Sequence, residues 1–164
     1  MPREPDDRRA RVPAVRLAEQ PDLWVFDGFF SDAEIEAVIA LFMDKAWLDE
    51  RAMTYGPDKA GFAAEAETAM APALVAARDR VADALGLPRE AVDTLRFRWY
   101  QEGDAHRPHT DAFVLDDTIL AVSAIIYLAD PEEGGETVFD DSRPTPVEVK
   151  PVRGRLVAWT LLPL

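Results

Sequence analysis

The first clear pattern in the chain is Trp24-Val25-Phe26, a short apolar run closed by Asp27-Gly28, which predicts a strand ending in a turn. Ser31 follows, with Glu34 three residues later. That is the spacing of a capping box, in which each side chain reaches the other residue's backbone N–H. Ile35, Val38, Ile39 and Phe42 then recur at i, i+3, i+4 and i+7, so an amphipathic helix is expected. A second helix is predicted from Pro72, tolerated in a first turn where its missing N–H would be unpaired anyway. Leu74, Val75, Arg78, Val81, Ala82 and Leu85 lie along it, and Gly86 stops it. Between the helices, residues 49–68 show no period and include Tyr55-Gly56-Pro57. They read as a long loop, either a lid or binding segment or a disordered insert.

After Pro88 the period changes from 3.6 to 2. Leu95, Phe97 and Trp99 alternate with Arg96, Arg98 and Tyr100, which predicts a strand with one buried face. Further short apolar segments follow at 109–114, 119–128, 136–139, 146–149 and 155–160, separated by Gly, Pro or Asp. Helices first and strands afterwards imply an α+β domain whose strands form a sandwich or jelly roll.

With 164 residues, 48% of them hydrophobic, the chain can build one core and is too short to argue for two. A single domain over 21–164 is expected. Residues 1–20, with prolines at 2, 5 and 13 and the mixed charges of Asp6, Asp7, Arg8, Arg9 and Arg11, read as a flexible leader. A net charge of −13 repels phosphate backbones and anionic bilayers, which argues against nucleic acid or a membrane surface as a generic partner. The start carries no hydrophobic signal segment and no apolar run is long enough to span a bilayer, so a soluble cytoplasmic protein is expected. Cysteine is absent, which removes disulfides, thiolate metal sites and cysteine nucleophiles at once. Any metal must be held by His, Asp or Glu.

His109-Thr110-Asp111 is the candidate site. On a strand, residues i and i+2 project to one face, and an imidazole with a carboxylate can share an ion there. A second imidazole would complete the facial triad that holds iron(II) with positions open for co-substrate and oxygen. The plain alternative is a surface histidine beside a turn aspartate. His106 could add a third local ligand, but Arg107-Pro108 imposes an extended bend between the two histidines, so it is expected either to lie against the metal ligands without binding the ion or at the surface.

The segment Tyr100-Gln101-Glu102-Gly103-Asp104-Ala105-His106-Arg107-Pro108-His109-Thr110-Asp111 resembles the metal-site entry of the prolyl-4-hydroxylase-like Fe(II)/2-oxoglutarate dioxygenases. Ser123 to Leu128, then Gly134-Gly135-Glu136-Thr137-Val138-Phe139, then Val149-Lys150-Pro151 through Trp159 are similar to that family's later blocks, in the family's order. Phe26-Asp27-Gly28-Phe29-Phe30-Ser31 resembles its usual short strand and helix start, so the resemblance spans roughly residues 24–160. It implies a double-stranded β-helix with N-terminal helices packed on one sheet. It further implies Fe(II) on His109 and Asp111, and 2-oxoglutarate contacted by the Tyr100 phenol and the Ser123 hydroxyl. Both of those residues also have ordinary readings, Tyr100 as a half-buried strand tyrosine and Ser123 as a buried hydroxyl bonded to backbone. Gly134-Gly135 and Pro151 to Gly154 are turns before they are family markers.

The resemblance also implies a second metal-binding histidine and a 2-oxoglutarate-binding Arg or Lys on two further strands after the Gly154 turn. His106 and His109 are the two histidines of these 164 residues, so those last two strands are expected to be missing from this chain. The expectation divides between an incomplete copy of an enzyme and a short inactive variant serving as a binding or accessory module, with a homodimer covering its open sheet edges. As an enzyme it would use O2, Fe(II) and 2-oxoglutarate, with ascorbate as a further cofactor candidate. It would hydroxylate a peptidyl proline, an amino acid or a small molecule, releasing succinate and CO2.

Overall fold

A computed structural model of the chain describes residues 14–19, 22–43, 52–54, 62–65, 72–93, 95–100, 102–111, 114–115, 118–140 and 145–161. In chain order the elements are β1 (Val15–Glu19), β2 (Asp22–Phe26), α1 (Asp32–Met43), β3 (Ala52–Thr54), β4 (Phe62–Glu65) and α2 (Pro72–Leu85). A 3-10 turn at Arg89–Ala91 follows, then β5 (Arg96–Trp99), β6 (Val114–Leu115), β7 (Thr118–Ile119), β8 (Val122–Ile126), β9 (Thr137–Phe139), β10 (Val147–Val149) and β11 (Leu156–Thr160). They fall into two compact units: residues 1–30 with 112–164, and residues 31–111.

The first unit is built on an antiparallel sheet of order β1-β2-β11-β8. Directly paired residues share a face, so Leu23, Trp159 and Ser123 stand together on one side, as do Val25, Val157 and Ile125. The β9–β10 pair covers this face: Phe139, Val147 and Val149 pack with Leu23, Val25, Tyr127, Val157 and Trp159. Phe139 meets Trp159 edge to face, ring centroids 5.1 Å apart. The opposite face carries Phe26, Leu156 and Ala158, all buried. Burial on both faces explains why β11 reads as a continuous apolar run and not as an alternation. The turn predicted at Pro151 to Gly154 is present, closed by Arg155 N–H donating to the Val152 carbonyl at 2.9 Å.

One boundary differs from the sequence reading. Val15–Glu19, placed in the leader, is an edge strand paired with β2 and anchored by an Arg16–Asp22 ion pair. Its apolar residues Val15 and Leu17 are exposed, so no burial pattern marked it.

In the second unit the capping box forms as its spacing predicts. Glu34 Oε2 accepts from the Ser31 backbone N–H at 2.8 Å, and the Glu34 N–H donates to Ser31 Oγ at 3.4 Å. Burial by itself would raise the Glu34 carboxyl, but the Ser31 hydrogen bonds and the Arg80 guanidinium outweigh it and hold the carboxyl below its ordinary range. Helix α2 starts at Pro72 and stops at Gly86 as predicted. Gly86 takes φ +67, a left-handed conformation, which lets Leu87 N–H reach back to the Ala82 carbonyl at 2.9 Å, the six-to-one bond of a Schellman cap. Phe42 of α1 and Leu74 of α2 form the unit's core with Val38, Leu41, Leu95 and Phe97, and Phe97 stacks on Phe42 at 4.0 Å.

The helices therefore pack on β5, the last strand of a three-stranded antiparallel sheet, β3-β4-β5. The expected loop 49–68 contains β3 and β4, whose partner, β5, lies far along the chain and leaves no local period to read. Within β5 the alternation holds at Phe97 and lapses at Trp99, which is exposed. No helix among the described residues is long and apolar enough to cross a membrane.

Candidate metal centre

His109, Thr110 and Asp111 follow β5 and precede β6, and they belong to no strand. The expectation that a strand aligns the two side chains is corrected here: a local hydrogen bond does it. His109 Nδ1 lies 2.8 Å from the Arg107 carbonyl oxygen. A carbonyl only accepts, so Nδ1 carries the proton. Pro108 disfavours the helical conformation at Arg107, which keeps this stretch open enough for the ring to fold back on that carbonyl.

The consequence lies at the other ring nitrogen. His109 Nε2 faces Asp111 Oδ1 at 3.1 Å. With Nδ1 protonated, a neutral imidazole presents a lone pair at Nε2, and a lone pair against a carboxylate oxygen repels. The arrangement is favourable only with a cation between the two atoms, either a proton on Nε2 or a metal ion. The side chains are 47% and 32% exposed, so an ion can reach them from solvent. The pair fits a divalent metal.

His106 lies against His109. Its ring centroid is 4.2 Å from that of His109, with the planes tilted by 41°. Arg98 Nη1 lies 3.0 Å from His106 Nδ1. A guanidinium only donates, so His106 accepts at Nδ1 and keeps its proton on Nε2. The bend at Arg107-Pro108 thus brings the two rings together. Among the described residues, no group of three or more His, Asp or Glu is placed to hold a metal.

Tyr100 follows β5 directly and is 45% exposed, in the same unit as His109 and Asp111. Ser123 belongs to the other unit. It lies on β8 opposite Trp159, on the face that β9 and β10 cover. A polar pair that sequence reasoning passed over shares this face: the Tyr127 and Thr137 hydroxyls are 2.6 Å apart. Burial pushes the Tyr127 phenol up from its ordinary value, outweighing the lowering effects of the Thr137 hydrogen bond and the Arg155 charge. Period two from Ser123 to Ile125 to Tyr127 was the available signal.

Residues 95–162 match the model of the 2OG-Fe(II) oxygenase superfamily. The matched stretch holds Tyr100, His109, Asp111 and Ser123 together. This stretch, less than half of the chain, is similar to the 2OG-Fe(II) oxygenases. The chain is 33% identical over 89 residues to "Probable prolyl 4-hydroxylase 11" of Arabidopsis thaliana, an alignment covering 51% of the chain and 31% of that protein. It is 26% identical over 141 residues to "Probable prolyl 4-hydroxylase 7" of the same plant, covering 76% of the chain and 43% of that protein. The chain therefore spans less than half the length of these relatives. The superfamily implies a jelly roll, and the antiparallel sheets with two helices are consistent with one.

Proposed function

We propose that this chain carries the metal-gripping part of an Fe(II)- and 2-oxoglutarate-dependent dioxygenase. The enzyme hydroxylates a peptidyl proline, an amino acid or a small molecule and releases succinate and CO2. Peptidyl proline is the first substrate to test, because both relatives are named for prolyl hydroxylation. The observation that carries the reading is His109 Nε2 set against Asp111 Oδ1 at 3.1 Å while the Arg107 carbonyl keeps the proton on Nδ1.

In this reading His109 Nε2 and Asp111 hold Fe(II), which together with 2-oxoglutarate and O2 supplies the oxidising chemistry. The chain's own contribution is orientation. The Arg107 carbonyl fixes the tautomer and aims the lone pair, as partners of metal-bound imidazoles generally do. Ser123 and the Tyr127–Thr137 pair put hydroxyls on the inner face of the first unit's sheet. Tyr100 offers a further phenol. The third metal ligand and the cation for 2-oxoglutarate come, in this proposal, from the family's last two strands, beyond these 164 residues.

The test is succinate release from 2-oxoglutarate by the protein extended past Leu164, with Fe(II) and a proline-rich peptide. His109→Ala and Asp111→Ala are each expected to abolish turnover. Turnover indifferent to both substitutions would reject the site. A well-folded protein that ignores Fe(II) and 2-oxoglutarate alike would favour the binding-module reading.

A further inference from the structure

We infer that His106 is a positioning residue for the metal site: anchored by Arg98, its ring braces His109 so that Nε2 stays aimed at Asp111. The inference rests on the reading of His109 and Asp111 as ligands and adds a part to it.

The Arg107 carbonyl bond constrains His109 at one ring atom only. One hydrogen bond leaves the imidazole able to swing about that contact, and such a swing carries Nε2 away from Asp111. The His106 ring, 4.2 Å away and tilted by 41°, lies against His109 and blocks the swing. The brace is itself anchored. Phe97 stacks on Phe42 in the core of the second unit, and the next residue on β5, Arg98, emerges on the opposite side of the strand. Its guanidinium donates to His106 Nδ1 at 3.0 Å. Order in the α1 core is thereby relayed through β5, Arg98 and His106 to His109.

His106 Nδ1 accepts from Arg98 at 3.0 Å. The same bond ties up the ring nitrogen that accepts, and the other nitrogen carries a proton, so neither offers a free lone pair to the metal. Bracing and ligation therefore predict different behaviour for a ring that has no nitrogen.

The experiment is calorimetric titration of the full protein with Co(II), an air-stable stand-in for Fe(II), with the visible absorption of bound Co(II) as a second readout. His106→Ala should weaken Co(II) binding about tenfold or more, as loss of an outer partner of a metal-bound imidazole typically does, and should broaden or shift the Co(II) bands. His106→Phe should keep the wild-type affinity and spectrum, because its ring restores the brace without a donor atom. Circular dichroism shows whether either variant has lost its fold. Co(II) binding by His106→Ala that equals wild type overturns the inference alone. A His106→Phe protein that folds yet binds as weakly as His106→Ala overturns bracing in favour of direct ligation. Wild-type protein that takes up no Co(II) overturns both the metal reading and this inference.

Discussion

Replacing Tyr127 by Phe removes one hydroxyl from the inner face of the β1-β2-β11-β8 sheet and leaves the ring in place against Leu23, Val25 and Val157. The hydroxyl bonds Thr137 Oγ1 at 2.6 Å in a partly buried setting. A neutral hydrogen bond of this kind contributes about 0.5–1.5 kcal/mol net, and more is lost where the abandoned partner is sealed from water. Thr137 is only partly buried, so the expected cost at neutral pH is about 1 kcal/mol, read as a fall in Tm of about 2–4 °C for a chain of this size. The pH dependence makes the prediction sharper. Burial raises the folded-state phenol above 10.0, so the stabilisation is complete below the unfolded value and is lost as pH climbs through the folded one. The Phe variant has no proton to lose there. Thermal unfolding followed by circular dichroism at about pH 7, 9 and 11 should show wild type ahead at the first two and the gap closing at the last. A gap that stays constant or widens at alkaline pH would refute the argument that desolvation of this phenol dominates.

Four further substitutions probe the frames of the two units. Ser31→Ala removes half of the capping box and should cost about 0.5–1 kcal/mol in urea unfolding. The Glu34 carboxyl, held low when folded, stabilises above its unfolded value near 4.5 and stops doing so as pH falls through the folded one; Glu34→Gln should therefore flatten the acid limb of the stability curve. Val157→Ala empties a position that is 0% exposed between Val25 and Ile125. Lost transfer energy plus the residual cavity should cost about 2–3 kcal/mol, measured as a shift in the urea midpoint. Gly135→Ala places a Cβ 3.3 Å from Pro151 Cγ at φ +76, so the left-handed backbone and the close contact together should cost about 1–2 kcal/mol, visible as a lower Tm.

Much of the frame was legible because its signals are local. The box at Ser31 and Glu34, the proline that opens α2 and the glycine that closes it all act within a few residues, and each formed where its spacing places it. The apolar run at 155–160 announced a strand, and β11 formed there. The ordered blocks from Tyr100 to Trp159 marked the stretch that matches the 2OG-Fe(II) oxygenase superfamily, and the residues proposed to grip the metal were readable as a pair from the spacing of His109 and Asp111.

The amino-acid sequence by itself determined the two helices, their ends, the principal core strands and the identity of the candidate ligands, since these depend on propensity, capping and periodicity over short stretches. Only the tertiary structure decided that β11 lies between β2 and β8, that β1 joins the sheet at its edge, and that β3 and β4 form within an apparently patternless stretch. Strand partners distant along the chain leave no trace in local periodicity. It likewise decided that His109 and Asp111 converge through the Arg107 carbonyl instead of a strand, and that His106 lies against His109. A hydrogen bond that sets one ring's direction depends on where a carbonyl points in space, and spacing along the chain does not encode that.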